Sequence, residues 1–185
     1  MTCIAAVIQK GTIFIGGDSA GTAGLRQTSR ADSKVFTRKD DEGNIWAFGF
    51  TSSYRMGQLI QYDLLLPAFN RTAIKNPHMF MVKKFIPALQ KCLETGGFQH
   101  KKEGVSRGGT FIVGVAGNLF VIEGDYQVGQ SFHDYVAVGC GEQAACGALY
   151  ATSKIKNPRE RVHIALAAAE SCNAGVRAPF KIVKA

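Results

Sequence analysis

Apolar residues along this chain follow two periods, arranged in alternating blocks. In the first block, positions 2–9 and 12–18 are apolar stretches on either side of the polar break Gln9-Lys10-Gly11, the pattern of a β-hairpin. Positions 34–38 and 44–50 predict a second hairpin around Asp40-Asp41-Glu42-Gly43-Asn44. The period then lengthens. Residues 54–66 bring Met56, Leu59, Ile60 and Leu64 to one helical face, with Pro67 as the stop. Residues 78–93 repeat the spacing with Met81, Phe85, Ala88, Leu89 and Cys92, and Pro87 predicts a kink or division there. The polar, glycine-containing and basic span 95–109 reads as a mobile surface loop.

Strand signals return at 110–116, 119–123 and 135–138, the first two joined by Ala116-Gly117-Asn118. The alanine-rich segment 142–153 is helical in pattern. Asn157-Pro158-Arg159-Glu160 then reads as a helix start, with Asn157 as N-cap and Pro158 at the first position, and that helix runs to about residue 172. Residues 180–183 form a last strand. Strands, two helices, strands, two helices predict an α+β fold in which two packed antiparallel sheets carry a helix pair on each outer face, a four-layer αββα sandwich.

At 185 residues, 46% hydrophobic and 19% charged, the chain is expected to form one domain over 1–185 around a substantial core. No apolar run approaches the ~20 residues of a membrane span. The apolar start is interrupted by Gln9, Lys10 and Gly11 and lacks a basic leader, so a cytoplasmic location is expected. Five scattered cysteines, Cys3, Cys92, Cys140, Cys146 and Cys172, argue against a disulfide framework or a structural zinc. His78, His100, His133 and His163 show no metal-ligand spacing. Nothing calls for a metal or a cofactor.

A net charge of +8 raises a nucleic-acid-binding reading. The cations are spread along the chain, however, with local clusters only at Lys101-Lys102-Arg107 and Lys154-Lys156-Arg159-Arg161, neither interleaved with stacking aromatics. A solvated face or a subunit contact accounts for them better. The basic nucleic-acid binder stands as an alternative class.

The candidate chemistry begins at Thr2. Removal of Met1 would leave a hydroxyl and a free α-amine on one residue, and an amine with a pKa near ~8 can take that hydroxyl's proton at neutral pH. The first hairpin brings Asp18 near Thr2, and Lys34 stands before an apolar, β-branched segment that can direct its ammonium to the same end. A nearby ammonium lowers the amine's pKa, and a buried ammonium needs a carboxylate, which Asp18 supplies.

With these residues in place the chain resembles a proteasome β-type subunit, close to the bacterial HslV peptidases, among the N-terminal-nucleophile hydrolases. The resemblance rests on Thr2 to Val7, Gly17-Asp18, Lys34, the turn Phe48-Gly49-Phe50-Thr51-Ser52-Ser53, and Gly139-Cys140-Gly141 opening a helix. It implies a threonine-type endopeptidase that cuts unfolded polypeptides, with Thr2 as nucleophile, Lys34 tuning it, Asp18 holding Lys34, the Ser52 N–H meeting the oxyanion, and Cys140 supporting the Thr2 amine. It also implies that Thr22 binds substrate backbone, that Phe50 lines a side-chain pocket, and that copies of the chain assemble into a closed homo-oligomeric ring. An ATPase unfoldase enters as a candidate partner.

Three departures qualify the match. Ser52 stands where glycine is usual, although an oxyanion donor needs only its backbone N–H. Cys140 stands where serine is usual, and a thiol is the weaker donor. Among Glu170, Ser171 and Asn173, none matches the family's acidic residue after the last helix. Gly17-Asp18-Ser19-Ala20-Gly21 also fits the nucleophile elbow of serine hydrolases, but Thr22-Ala23-Gly24 starts no helix as an elbow demands. A retained Met1 would lock the amine in a peptide bond, which leaves a proteasome-like subunit that assembles without cutting as the other alternative.

Overall fold

The computed structural model describes residues 1–102 and 105–185. β1 (Cys3–Gln9) turns through Lys10 and Gly11, both at positive φ, into β2 (Thr12–Gly17), as the polar break predicts. A ribbon that the pattern did not reveal follows, β3 (Ala20–Ala23) paired with β4 (Arg26–Ser29). β5 (Val35–Lys39) and β6 (Ile45–Phe50) form the second predicted hairpin.

The first helical block departs from its expected bounds. α1 (Tyr54–Gln58) continues through a wide turn at Leu59–Asp63 and stops there, short of residue 66. Leu64 is already extended, and the Arg38 guanidinium bonds the carbonyls of Ile60 and Leu64 at 2.9 and 2.5 Å, taking over acceptors a longer helix would use. A short α2 (Arg71–Lys75), capped by Asn70, was not foreseen. α3 (Pro77–Phe80) runs through a second wide turn, Met81–Phe85, into α4 (Ile86–Thr95). That turn falls immediately before Pro87, whose ring and missing N–H cannot join regular helical bonding.

The expected loop at 95–109 instead holds a ribbon of β7 (His100–Lys102) and β8 (Val105–Arg107), while positions 103–104 of that reading lie outside the described residues. β9 (Phe111–Val115), β10 (Asn118–Ile122), β11 (Val128–Gly129) and β12 (Tyr135–Gly139) precede α5 (Glu142–Ala151) and α6 (Pro158–Cys172). The Asn157 side chain caps α6 as expected, accepting from the N–H groups of Arg159 and Glu160. β13 (Lys181–Lys184) ends the chain against β2.

The strands form one sheet in the order β12-β1-β2-β13 and another in the order β11-β10-β9-β6-β5. Ile4, Ala6, Ile13 and Ile15 of the first sheet meet Ala47 and Ile112 of the second. The opposite face of β1, with Cys3, Ala5 and Val7, packs on Val162, Ala165, Leu166 and Ala169 of α6. β1 is therefore covered on both faces, which explains its unbroken apolar run. On the other side Phe36, Trp46, Phe48 and Phe50 pack on Met56, Phe85 and Leu89. The four layers are those expected, helix, sheet, sheet, helix. No described helix is long and apolar enough to cross a membrane.

Two buried charges organise the outer layers. Arg161, read from sequence as part of a surface cluster, is 2% exposed; it pairs with Asp134 at 2.9 Å and donates to the Leu149 carbonyl. It belongs to the core, so that basic cluster loses a member. The side chains of Lys101 and Lys102, from the other cluster, lie outside the described residues.

Asp40 accepts from Trp46 Nε1, Asn44 Nδ2 and the Phe69 N–H at 2.9–3.1 Å. Burial pushes its pKa up, but these hydrogen bonds outweigh burial and hold it below the ordinary 3.8. Its folded pKa is thus depressed, so its stabilisation is full above the unfolded value and is lost as pH falls through the folded one. Asp40→Ala orphans the buried Trp46 and Phe69 donors and should cost about 3 kcal/mol. Urea unfolding should give a lower midpoint at unchanged m-value, with the gap to the parent closing in acid.

Candidate active site

Thr2 directly precedes β1. The register Ile4 opposite Gly17 carries Asp18 alongside Cys3, where Asp18 Oδ1 accepts from the Cys3 N–H at 3.0 Å and the Asp18 N–H donates to the Cys3 carbonyl. Lys34 enters from the residue before β5, and its carbonyl accepts from the Phe50 N–H. The Lys34 ammonium reaches the same Asp18 Oδ1 at 2.9 Å, with both side chains essentially sealed from solvent. Asp18 Oδ2 accepts from the N–H groups of Ala20 and Arg177. One carboxylate therefore fixes the backbone next to Thr2 and neutralises the buried cation. Burial drives the Lys34 pKa below its ordinary 10.5; attraction and hydrogen bonding by Asp18 pull it back only in part.

Around Thr2 the remaining groups converge. Thr2 Oγ1 donates to the Met1 carbonyl at 2.5 Å, and Lys34 Nζ stands 3.5 Å from that carbonyl. The Thr2 N–H points to Cys140 Sγ at 3.2 Å, so the cysteine stands beside the nitrogen. Cys140 Sγ is also 3.2 Å from Asn173 Oδ1, while Asn173 Nδ2 donates to the Cys140 carbonyl at 2.8 Å. Asn173 thus completes the corner that sequence left unassigned among Glu170, Ser171 and Asn173; Glu170 is turned to the Ala178 N–H. Cys3, beneath Thr2, has its thiol pKa pushed up to about 12, first by burial and then by Asp18, so it stays protonated.

Ser52 holds a left-handed backbone, φ 63°, where a glycine would be at ease. Its hydroxyl offsets the strain by accepting from the Thr110 N–H at 3.1 Å. Its own N–H has no partner among the described residues and borders the cleft. Gly139, at φ 98°, lies so close to the Thr2 carbonyl that any Cβ would displace Thr2, which accounts for the glycine that opens the Gly139-Cys140-Gly141 turn.

A cleft of about 350 Å³ joins these groups, bordered by Thr2, Thr22, Lys34, Phe50 and Ser52. Thr22 Oγ1 accepts from the Met1 ammonium at 3.2 Å. Phe50 is mostly buried and packs edge-on against Tyr54 at 5.6 Å, so it offers the cleft one edge. Sequence reasoning did not find Tyr54, Arg26 or Arg30, which border the same cleft. The elbow reading at Ser19 fails, because a strand follows it and its hydroxyl is bound to the Pro179 carbonyl.

Residues distant in sequence therefore gather around Thr2, and known structures share the frame that places them. The chain superposes on Thiobacillus denitrificans BPH with a TM-score of 0.74 and 14% identity, over 99% of this chain and 97% of that one. BPH is also known in complex with epoxomicin. HslV from Trypanosoma brucei matches with a TM-score of 0.67 and 17% identity over 98% of each chain. Anbu from Pseudomonas aeruginosa, known as a helical assembly, matches with a TM-score of 0.67 and 14% identity over 99% of this chain and 80% of its own. The fold is that of the proteasome-like N-terminal-nucleophile hydrolases. No protein-family model matches the sequence, and no curated protein matches it either. At such identities the likeness establishes the fold, and function lies with the residues in the cleft.

Proposed function

We propose that this chain is a one-domain, cytoplasmic subunit of a self-compartmentalising threonine-type endopeptidase, with Thr2 as N-terminal nucleophile once Met1 is removed. The observation that supports this reading most is the convergence beside Thr2 of a sealed Lys34–Asp18 pair and a Ser52 N–H that has no partner among the described residues. Thr2 Oγ attacks the carbonyl carbon of a peptide bond. The freed α-amine takes the hydroxyl proton and later delivers it to the leaving amine, and water then hydrolyses the ester to regenerate Thr2. Lys34 keeps that amine unprotonated, Asp18 anchors Lys34, the Ser52 N–H receives the oxyanion, and Cys140 with Asn173 orients the nitrogen.

The substrate class is an unfolded polypeptide lying extended along the cleft. Among the described residues β3 pairs only with β4, which leaves its other edge for strand addition, and Thr22 lies on β3. Phe50 and Tyr54 form the wall against a substrate side chain. The helical assembly of Anbu supports self-association; a closed homo-oligomeric ring, with an ATPase unfoldase as partner, extends the same reading.

A second reading, a proteasome-like subunit that assembles without cutting, applies where Met1 is retained. Here the Thr2 nitrogen is an amide, the Thr2 hydroxyl bonds the Met1 carbonyl, and no base is free. Intact mass measured together with peptide-amide cleavage separates the two: an active preparation should lack Met1, and a preparation that keeps it should assemble without cutting. In the active form, cleavage should fall on the alkaline side as Lys34 loses its charge. Because burial lowers its pKa, the fall should be centred below 10.5, and a pH profile of kcat/KM checks this.

A further inference from the structure

The cleft carries two cations, Arg26 and Arg30, that the proposed reaction does not use. Three cations border it, Arg26, Arg30 and Lys34, and among the described residues no carboxylate does. Lys34 is committed to Asp18. Arg30 lies with its guanidinium carbon 3.9 Å above the Tyr54 ring, its stem is laid over Gly21, and its Nε and Nη2 hold Asp32 at 2.8 and 2.6 Å. Asp32 itself lies outside the cleft lining, so Arg30 is held in place by Tyr54, Gly21 and Asp32 and keeps Nη1 for a further acceptor. Arg26 is exposed and has no ion pair among the described residues.

The ribbon sets the spacing of these charges. Arg30 follows its base, where Ala20 faces Ser29, and Arg26 stands at its tip, where Ala23 faces Arg26. Four residue steps separate Arg26 from Arg30, about 13 Å of extended chain. A peptide extended along β3 passes both, and the Tyr54 ring beneath Arg30 is apolar, so a substrate carboxylate there meets a cation held over a low-dielectric surface. A substrate arginine or lysine meets repulsion with no carboxylate among the described lining residues to offset it.

Resting on the peptidase reading above, we infer that this cleft selects acidic polypeptide segments, with a Glu or Asp side chain next to the scissile carbonyl bound by Arg30 and a further carboxylate bound by Arg26. Charge-assisted bonds of this kind at a partly exposed site correspond to about tenfold in kcat/KM.

The test uses the assembled protein without Met1 and three fluorogenic peptide amides that differ only in Glu, Leu or Arg before the amide. Glu should be cleaved about tenfold faster than Leu in kcat/KM, with Arg slowest, and added salt should shrink the ratio. Arg26→Ala combined with Arg30→Ala should bring the Glu-to-Leu ratio near one. Asp32→Asn should raise it by releasing Arg30, an effect that a purely structural role for Arg30 does not produce. Thr2-dependent cleavage with Leu preferred, or a ratio unmoved by these variants, overturns the acidic preference and leaves the peptidase reading standing. No Thr2-dependent cleavage of any of the three overturns both.

Discussion

Thr2→Ala should abolish amide cleavage, lowering kcat at least ~10⁴-fold, while the fold and the assembly persist. The variant keeps the α-amine, Lys34, Asp18 and the Ser52 N–H, so it removes one atom from the proposed sequence, the attacking oxygen. Thr2 is buried but packs no large side chain into the core, and Asp18 grips the neighbouring Cys3 N–H rather than Thr2 itself. Loss of activity therefore cannot be traced to collapse of the hairpin. Thr2→Ser restores the oxygen and should recover cleavage to within about tenfold, since nucleophile and base return on the same residue. Steady-state hydrolysis of a peptide amide, paired with native mass, checks both halves of the expectation. A basic nucleic-acid binder would be indifferent to either change.

Lys34→Ala should have the next largest effect, and it should act twice. The ammonium and the Asp18 carboxylate are both sealed from solvent, so removing one strands the other, at a cost of about 3 kcal/mol, the low end for a broken buried pair because Asp18 keeps three backbone donors. Cleavage should disappear as well, since no cation then keeps the α-amine unprotonated. Lys34→Met combined with Asp18→Asn separates the two effects. The double variant has no stranded charge and should regain most of the stability in urea unfolding, yet remain inactive. Recovery of cleavage along with stability would mean that the pair only holds the fold.

Sequence carried those parts of the molecule whose local chemistry agrees with their tertiary place. Lys10 and Gly11 supply the two left-handed residues of a tight hairpin, so β1 and β2 were legible, and Asp18 and Lys34 followed from them as neighbours of Thr2. The alternating blocks of strand and helix periods gave the four layers. The β3–β4 ribbon was silent because Arg26–Ser29 are all exposed and show no apolar alternation. With the ribbon, Arg26 and Arg30 were also invisible as cleft residues. Arg161 read as surface charge because nothing in its own neighbourhood announces Asp134, 27 residues away. The last turn of α1 was decided by Arg38, a residue from another layer. Asn173 had no acidic match to mark it, and only its bonds to Cys140 gave it a place. Each miss is a contact made across the chain, where periodicity carries no information.

Cleavage as proposed depends on amine and hydroxyl acting together on one residue, and a peptide epoxyketone reports on both, because its two electrophilic carbons can be captured by one oxygen and one nitrogen in a ring. Peptide mapping by mass spectrometry after treatment should find a single cyclic adduct on Thr2 in protein lacking Met1, and none in protein that retains it. Failure of correctly trimmed, assembled protein to form that adduct would contradict the account.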